Sequence, residues 1–204
     1  AIAVRAELLR KGESWELPSA RLASLCYLNA LTAITSGSAA GAITWIDAAL
    51  AIEPQLGRTD GAWVKIRLER AKAMDPSRRG DVFVLELSGV WNEAAQERTP
   101  FAAELGQQLM RAFLARGEQQ EARVVAREIT VRFAGFAHVL SGDVGGSVCR
   151  SVLIDAHDVL GLIACEAQEW AELEDRTNWL RVYAPESAAC QGAIQRLEVI
   201  RRNR

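Results

Sequence analysis

Residues 109–128, LMRAFLARGEQQEARVVARE, decide how this chain is to be read. Leu109, Met110, Phe113 and Leu114 recur at helical spacing, Gly117 interrupts, and Ala122, Val125 and Ile129 resume the pattern. The spacing predicts two amphipathic helices folded back on each other through a tight turn at Gly117 and Glu118. A small residue at Ala122 lets the second helix approach the first closely. Upstream, Thr99-Pro100 supplies an N-cap and a first-turn proline for the first of the two helices.

The same spacing occurs earlier. Gly37 precedes Ala42 by five residues, as Gly117 precedes Ala122, and the second helix of that earlier pair continues through Ile46, Ala49 and Leu50 to a stop at Pro54. In the central copy Ala134 stands where that proline would be, so Gly135 is expected to end the helix. A third copy begins near Ala156, with Leu160-Gly161 in its first helix and Pro185 at its end. There Gln168 replaces the turn glycine and Leu173 replaces the packing alanine.

A bulky residue, a turn glycine, a close-packing alanine and a closing proline, in that order, resemble a tetratricopeptide repeat. The turn positions 37, 117 and 168 are not separated by multiples of the usual repeat of about 34 residues, so irregular hairpins are expected in place of a uniform array. The fold class that follows is all-α, an α-solenoid of stacked antiparallel helical hairpins, because one hairpin alone cannot bury its apolar face. Residues 1–134 read as the repeat region, 135–150 as a glycine-rich loop or hinge, and 151–204 as the C-terminal hairpins and cap. Residues 81–96 contain VFVLEL, a possible buried strand, but Phe83, Leu87, Val90, Trp91 and Ala94 keep helical spacing and favour a helix.

Composition agrees. Half of the 204 residues are hydrophobic, only 6% are aromatic, and the net charge is −2, which implies no strong pull toward nucleic acid or an anionic membrane. No apolar stretch is long enough to span a bilayer: residues 22–34 are too short and too polar. Residues 1–16 lack the apolar centre of a signal peptide, and a cytoplasmic location is expected. Ala1 in place of a methionine is expected of a processed or excised chain. The four cysteines are scattered without CxxC spacing and read as buried free thiols.

Constellations that could carry chemistry are weak. Cys149, His157 and Cys165 are spaced eight apart, and eight helical residues span about 12 Å, too far to share a zinc ion, so buried thiols and a solvent-facing histidine are the better account. No catalytic residue, metal or cofactor is assigned. The acidic run Glu166, Glu169, Glu172, Glu174 and Asp175 reads as a solvated turn, and the basic cluster Lys65, Arg67, Arg70, Lys72, Arg78 and Arg79 as a solvated face. Trp45, Trp63 and Trp91 read as core, and Trp170 and Trp179 as core or as anchors for a partner.

The repeat resemblance implies a scaffold whose concave groove, lined by the first helix of each hairpin, binds a protein or peptide. Carried onto this chain, the groove positions are Tyr27, Leu31 and Ile34, then Glu104, Gln107 and Arg111, then Asp155, Asp158 and Leu162. A small-molecule ligand fits such a groove less directly, and nucleic acid is not expected. The alternatives are a sensor or regulatory module of a larger signalling protein, and an enzyme working through a Cys/His or carboxylate site.

Overall fold

The computed structural model describes residues 25–26, 28–30, 32–33, 36–52, 81–139 and 143–202. All regular structure among them is helical, with no strand. The chain divides into two compact units, Ala1–Phe83 and Val84–Arg204.

In the first unit, helical residues within 25–33 lead through the turn at Gly37 into α1 (Ala39–Ile52). Cys26, Ala30, Ala42, Trp45, Ile46 and Ala49 are buried there. The predicted helix over 60–75, the stop at Pro54, Trp63 and the basic cluster lie outside the described residues.

The second unit takes in most of α2 (Asp81–Glu93), then α3 (Pro100–Ala115), α4 (Gln119–Arg132), a short 3-10 turn (Ala134–Phe136), α5 (Val144–Glu166), α6 (Trp170–Tyr183) and α7 (Ala188–Arg202). The 81–96 segment is therefore a helix. Its apolar residues Phe83, Val84, Leu87, Val90 and Trp91 are all buried at helical spacing. Thr99 caps α3 as expected: its hydroxyl accepts from the Ala102 N–H at 3.2 Å, with Pro100 at the first position. Leu105, Leu109 and Met110 of α3, Ile129 of α4, and Leu153, Leu160 and Ile163 of α5 are all fully buried. The central helix α5 packs against α3, α4, α6 and α7.

Three turns share one backbone solution. Gly37 (φ +77°), Gly117 (φ +75°) and Gln168 (φ +59°) each adopt the left-handed conformation. After each, the next N–H reaches back five residues: Ser38 to the Ala33 carbonyl at 2.8 Å, Glu118 to Phe113 at 2.9 Å, and Glu169 to Ala164 at 2.8 Å. This closure satisfies carbonyls that a helix end leaves open. Five residues beyond each turn, Ala42, Ala122 and Leu173 are fully buried.

Two expectations are corrected. Gly135 does not stop α4 through a left-handed conformation; Phe133, completely buried, caps it, and the chain tightens into the 3-10 turn. The 135–150 stretch is not a loop throughout: α5 begins at Val144, so Gly145 and Gly146 lie in its first turn. Gly146 is buried there, and a Cβ at that position would stand 2.6 Å from Val139 and 2.5 Å from the Asp143 carboxylate. No helix among the described residues is long and apolar enough to cross a membrane.

Candidate functional site

The apolar face of α3 is spent on the core, which leaves Gln107 and Arg111 on its flank toward α5. Gln107 and Arg111 are one turn apart, so both reach the same group on the neighbouring helix. Gln107 Nε2 donates to Asp155 Oδ2 at 2.9 Å, and Arg111 donates to that oxygen through Nε at 3.2 Å, with its Nη2 3.0 Å away in the ion pair. The Arg111 side chain remains 56% exposed and Asp155 27% exposed, so the cluster is reachable from solvent. Glu104, half-buried, precedes Gln107 on the same helix.

Two of the groove residues expected from sequence, Gln107 and Arg111, thus converge on the carboxylate of a third, Asp155. Asp158 does not join them; Arg196 of α7 donates to it on another side of α5. Leu162 is partly exposed on α5. Tyr27, Leu31 and Ile34 lie outside the described residues.

A second polar seam, which the sequence reading missed, joins α4 to the α5–α6 turn and α6. Gln119, Arg123 and Arg127 recur every four residues along α4 and face Glu166, Glu169 and Glu172. Gln119 Nε2 donates to Glu166 at 2.5 Å, Arg123 donates to both Glu169 and Glu172, and Arg127 Nη2 donates to Glu172 at 3.1 Å. Arg176 adds a contact to Glu172 at 3.2 Å. The acidic run is solvent-exposed as expected at Glu166, Glu169, Glu174 and Asp175, but the Glu172 side chain is only 14% exposed. Burial alone would raise its carboxyl pKa, but the hydrogen bonds from Arg123 and Arg176 and the surrounding guanidinium charge hold it at about 2. The hydrogen bonds to Glu169 and then Glu172 raise the Arg123 guanidinium above its ordinary range. The signal was present in the matched spacings of bases and acids, three and four residues apart on two helices.

His157 is the clearest misreading. It is not solvent-facing but 4% exposed, stacked on Trp179 with ring centroids 3.7 Å apart and planes 8° from parallel. Burial, with the Arg176 charge nearby, lowers its pKa to about 3, so the ring is neutral near pH 7. The stack continues through Trp179 and Tyr183 at 4.9 Å to the exposed His138, edge-on to Tyr183 at 5.0 Å. Trp170 and Trp179 are both half-buried and pack against the C-terminal core clusters.

Cys149 and His157 share α5 at a separation of eight residues, about 12 Å along the axis, and do not meet as a nucleophile and its base. Burial and the Asp143 charge push the Cys149 thiol up to about 11, which keeps it protonated and unreactive. Cys26, Cys149 and Cys190 are buried free thiols, and Cys165 is half-buried. The chemistry on offer along α3 and α5 is hydrogen bonding and charge.

Compared with protein families, curated proteins and solved structures, the chain finds no match in any of the three.

Proposed function

We propose that the chain is a helical-repeat scaffold whose α3–α5 face binds an extended segment of a protein partner. One observation carries this reading. The first helices of two successive hairpins, α3 and α5, pack side by side, and Gln107, Arg111 and Asp155 form a solvent-reachable polar seam where they meet. The shared turn geometry at positions 37, 117 and 168 supports a repeated unit behind that arrangement. A stack of such units turns equivalent helices toward one face, as in helical solenoids. The seam already pairs its own charges, so a ligand would exchange one set of hydrogen bonds for another. Such a surface reads its partner through specificity more than through long-range attraction.

Selection of peptides from a displayed random library against the whole chain tests the reading. Selected peptides should cross-link to a photoreactive side chain placed at Leu162 or Gln108 and not to one placed at Val182 of α6. Cross-linking confined to Val182, or no enriched peptide, would remove the scaffold proposal.

A further inference from the structure

A different part of the second unit gathers positive charge around a concave surface. The turn after α2 and the C-terminal half of α4 enclose an open pocket of about 420 Å³, within the range of small-molecule sites. Three guanidinium groups line it, those of Arg98, Arg127 and Arg132, against one carboxylate, Glu128. That carboxylate is already engaged, because Trp91 Nε1 donates to Glu128 Oε2 at 2.5 Å. Arg132 stands 4.0 Å from it, lies over the Trp91 ring at 3.6 Å, and donates to the Ala94 carbonyl at 3.2 Å.

The three cations are not equally satisfied. Arg127 shares Glu172 with Arg123 and Arg176. Arg98 is exposed and has no acidic partner among the described residues. Arg132 is held by a ring face and a neutral carbonyl; burial lowers its guanidinium pKa, and the nearby Glu128 offsets this only in part. Val131 adds an apolar wall and Gln96 an amide that can donate or accept. In a chain of net charge −2, a concave lining of three guanidinium groups against one carboxylate, with Arg98 left without a carboxylate partner among the described residues, is local and specific.

The geometry points to a binding site for a small organic oxyanion, a phosphate monoester or carboxylate, gripped by Arg98 and Arg132 with its organic portion against Val131. Planar guanidinium groups match the paired oxygens of either headgroup, and such charge-assisted hydrogen bonds are the strong ones. This site shares no residue with the α3–α5 seam.

Calorimetric titration of the whole chain with phenyl phosphate, benzoate and phenol, at constant ionic strength, tests it. Saturable binding of phenyl phosphate or benzoate is expected, with phenol bound more weakly than either. Arg98→Gln removes an exposed turn residue, so folding, checked by circular dichroism, should survive, and affinity should fall about tenfold. The control Arg201→Gln, which removes an exposed arginine paired with Glu174, should leave affinity unchanged. Binding by phosphate but not benzoate, or the converse, keeps the oxyanion and fixes its headgroup. Phenol bound as well as phenyl phosphate would overturn the proposal, because the pocket would then be merely apolar. Equal losses in Arg98→Gln and Arg201→Gln would overturn it as general charge attraction, and so would the absence of saturable binding.

Discussion

Gly106 of α3 is the seat of the Trp91 indole. A Cβ at that position would stand 2.6 Å from Trp91 Cζ3 and 2.7 Å from Cη2, and 3.2 Å from Ile129 Cδ1. The ring has nowhere to go: it is 2% exposed, its N–H is bonded to Glu128, and Arg132 covers its face.

Gly106→Ala should therefore destabilise the protein by about 1–3 kcal/mol through overpacking, despite a gain in helix propensity of up to about 1 kcal/mol. Gly161→Ala is the contrast. A Cβ there would meet Leu173 Cδ1 at 3.5 Å and Arg176 Cβ at 3.7 Å, which is ordinary contact. That variant should be neutral or more stable by up to about 1 kcal/mol. Urea denaturation of both variants measures the difference; equal effects would mean that Trp91 does not rest on Gly106.

Gln168 holds a left-handed conformation that glycine holds at the two equivalent turns. An L-residue there costs roughly 1–2 kcal/mol, part of which glycine returns as greater freedom of the unfolded chain. Gln168→Gly should stabilise the protein by about 0.5–1 kcal/mol, and Gly117→Ala should destabilise it by a similar amount, since no atom lies within 4 Å of a Cβ at Gly117 and only backbone strain is at stake. Thermal melts with the two variants moving the same way would refute the equivalence of the turns.

The residues five beyond those turns should both lose stability when their volume changes, one by overpacking and the other by a cavity. Ala122→Leu adds volume to a fully buried contact and should cost about 1–3 kcal/mol. Leu173→Ala removes volume from the matching place and should cost about 2–5 kcal/mol. An Ala122→Leu change below about 0.5 kcal/mol would indicate a surface position instead.

These positions explain what sequence could and could not disclose. The turns were legible because a left-handed backbone leaves a local mark, a glycine five residues before a small or apolar packing residue, and Gln168 was recognisable by register alone. Partners between helices leave no such mark. Asp155 and Asp158 stand three residues apart on α5 and looked interchangeable, yet one meets Arg111 of α3 and the other Arg196 of α7. His157 looked exposed because histidine is polar, but its ring is half of a stack whose other half lies on α6. Which helix faces which decided these cases, and that is a tertiary fact.

His157 also sets an acid sensitivity. Its folded pKa, about 3, lies below the ordinary 6.5, so below pH 6.5 the unfolded chain takes up a proton that the folded chain refuses. Stability is then full above about pH 6.5 and falls by up to about 1.4 kcal/mol per pH unit as the pH drops toward 3. Glu172, lowered from 4.5 to about 2, adds a further loss only below about pH 4.5. His157→Phe keeps a ring on Trp179 and removes Nδ1, which is buried without a hydrogen-bond partner. Urea midpoints of this variant should be flat between pH 6.5 and 4.5 where those of the parent decline, and both should decline below 4.5. Parallel curves over the upper range would show that another group is responsible.

The last expectation separates folding from recognition on the α3–α5 seam. Arg111 and Asp155 form an ion pair with an arginine more than half exposed, and such pairs contribute only about 0–1 kcal/mol to stability. Arg111→Gln should accordingly leave the melting temperature nearly unchanged. Asp155→Asn should cost slightly more, because Gln107 and Arg111 both lose the charge of their common acceptor. If the seam is a recognition surface, the order reverses in binding. An interface arginine commonly carries more than about 1 kcal/mol of affinity, so Arg111→Gln should weaken a selected peptide at least about fivefold while the fold is intact. Fluorescence anisotropy with the labelled peptide, run beside melts of the same samples, gives both quantities. Unchanged affinity in a folded Arg111→Gln protein would leave the Arg111–Asp155 pair as a structural tie between two helices and remove the seam as a binding face.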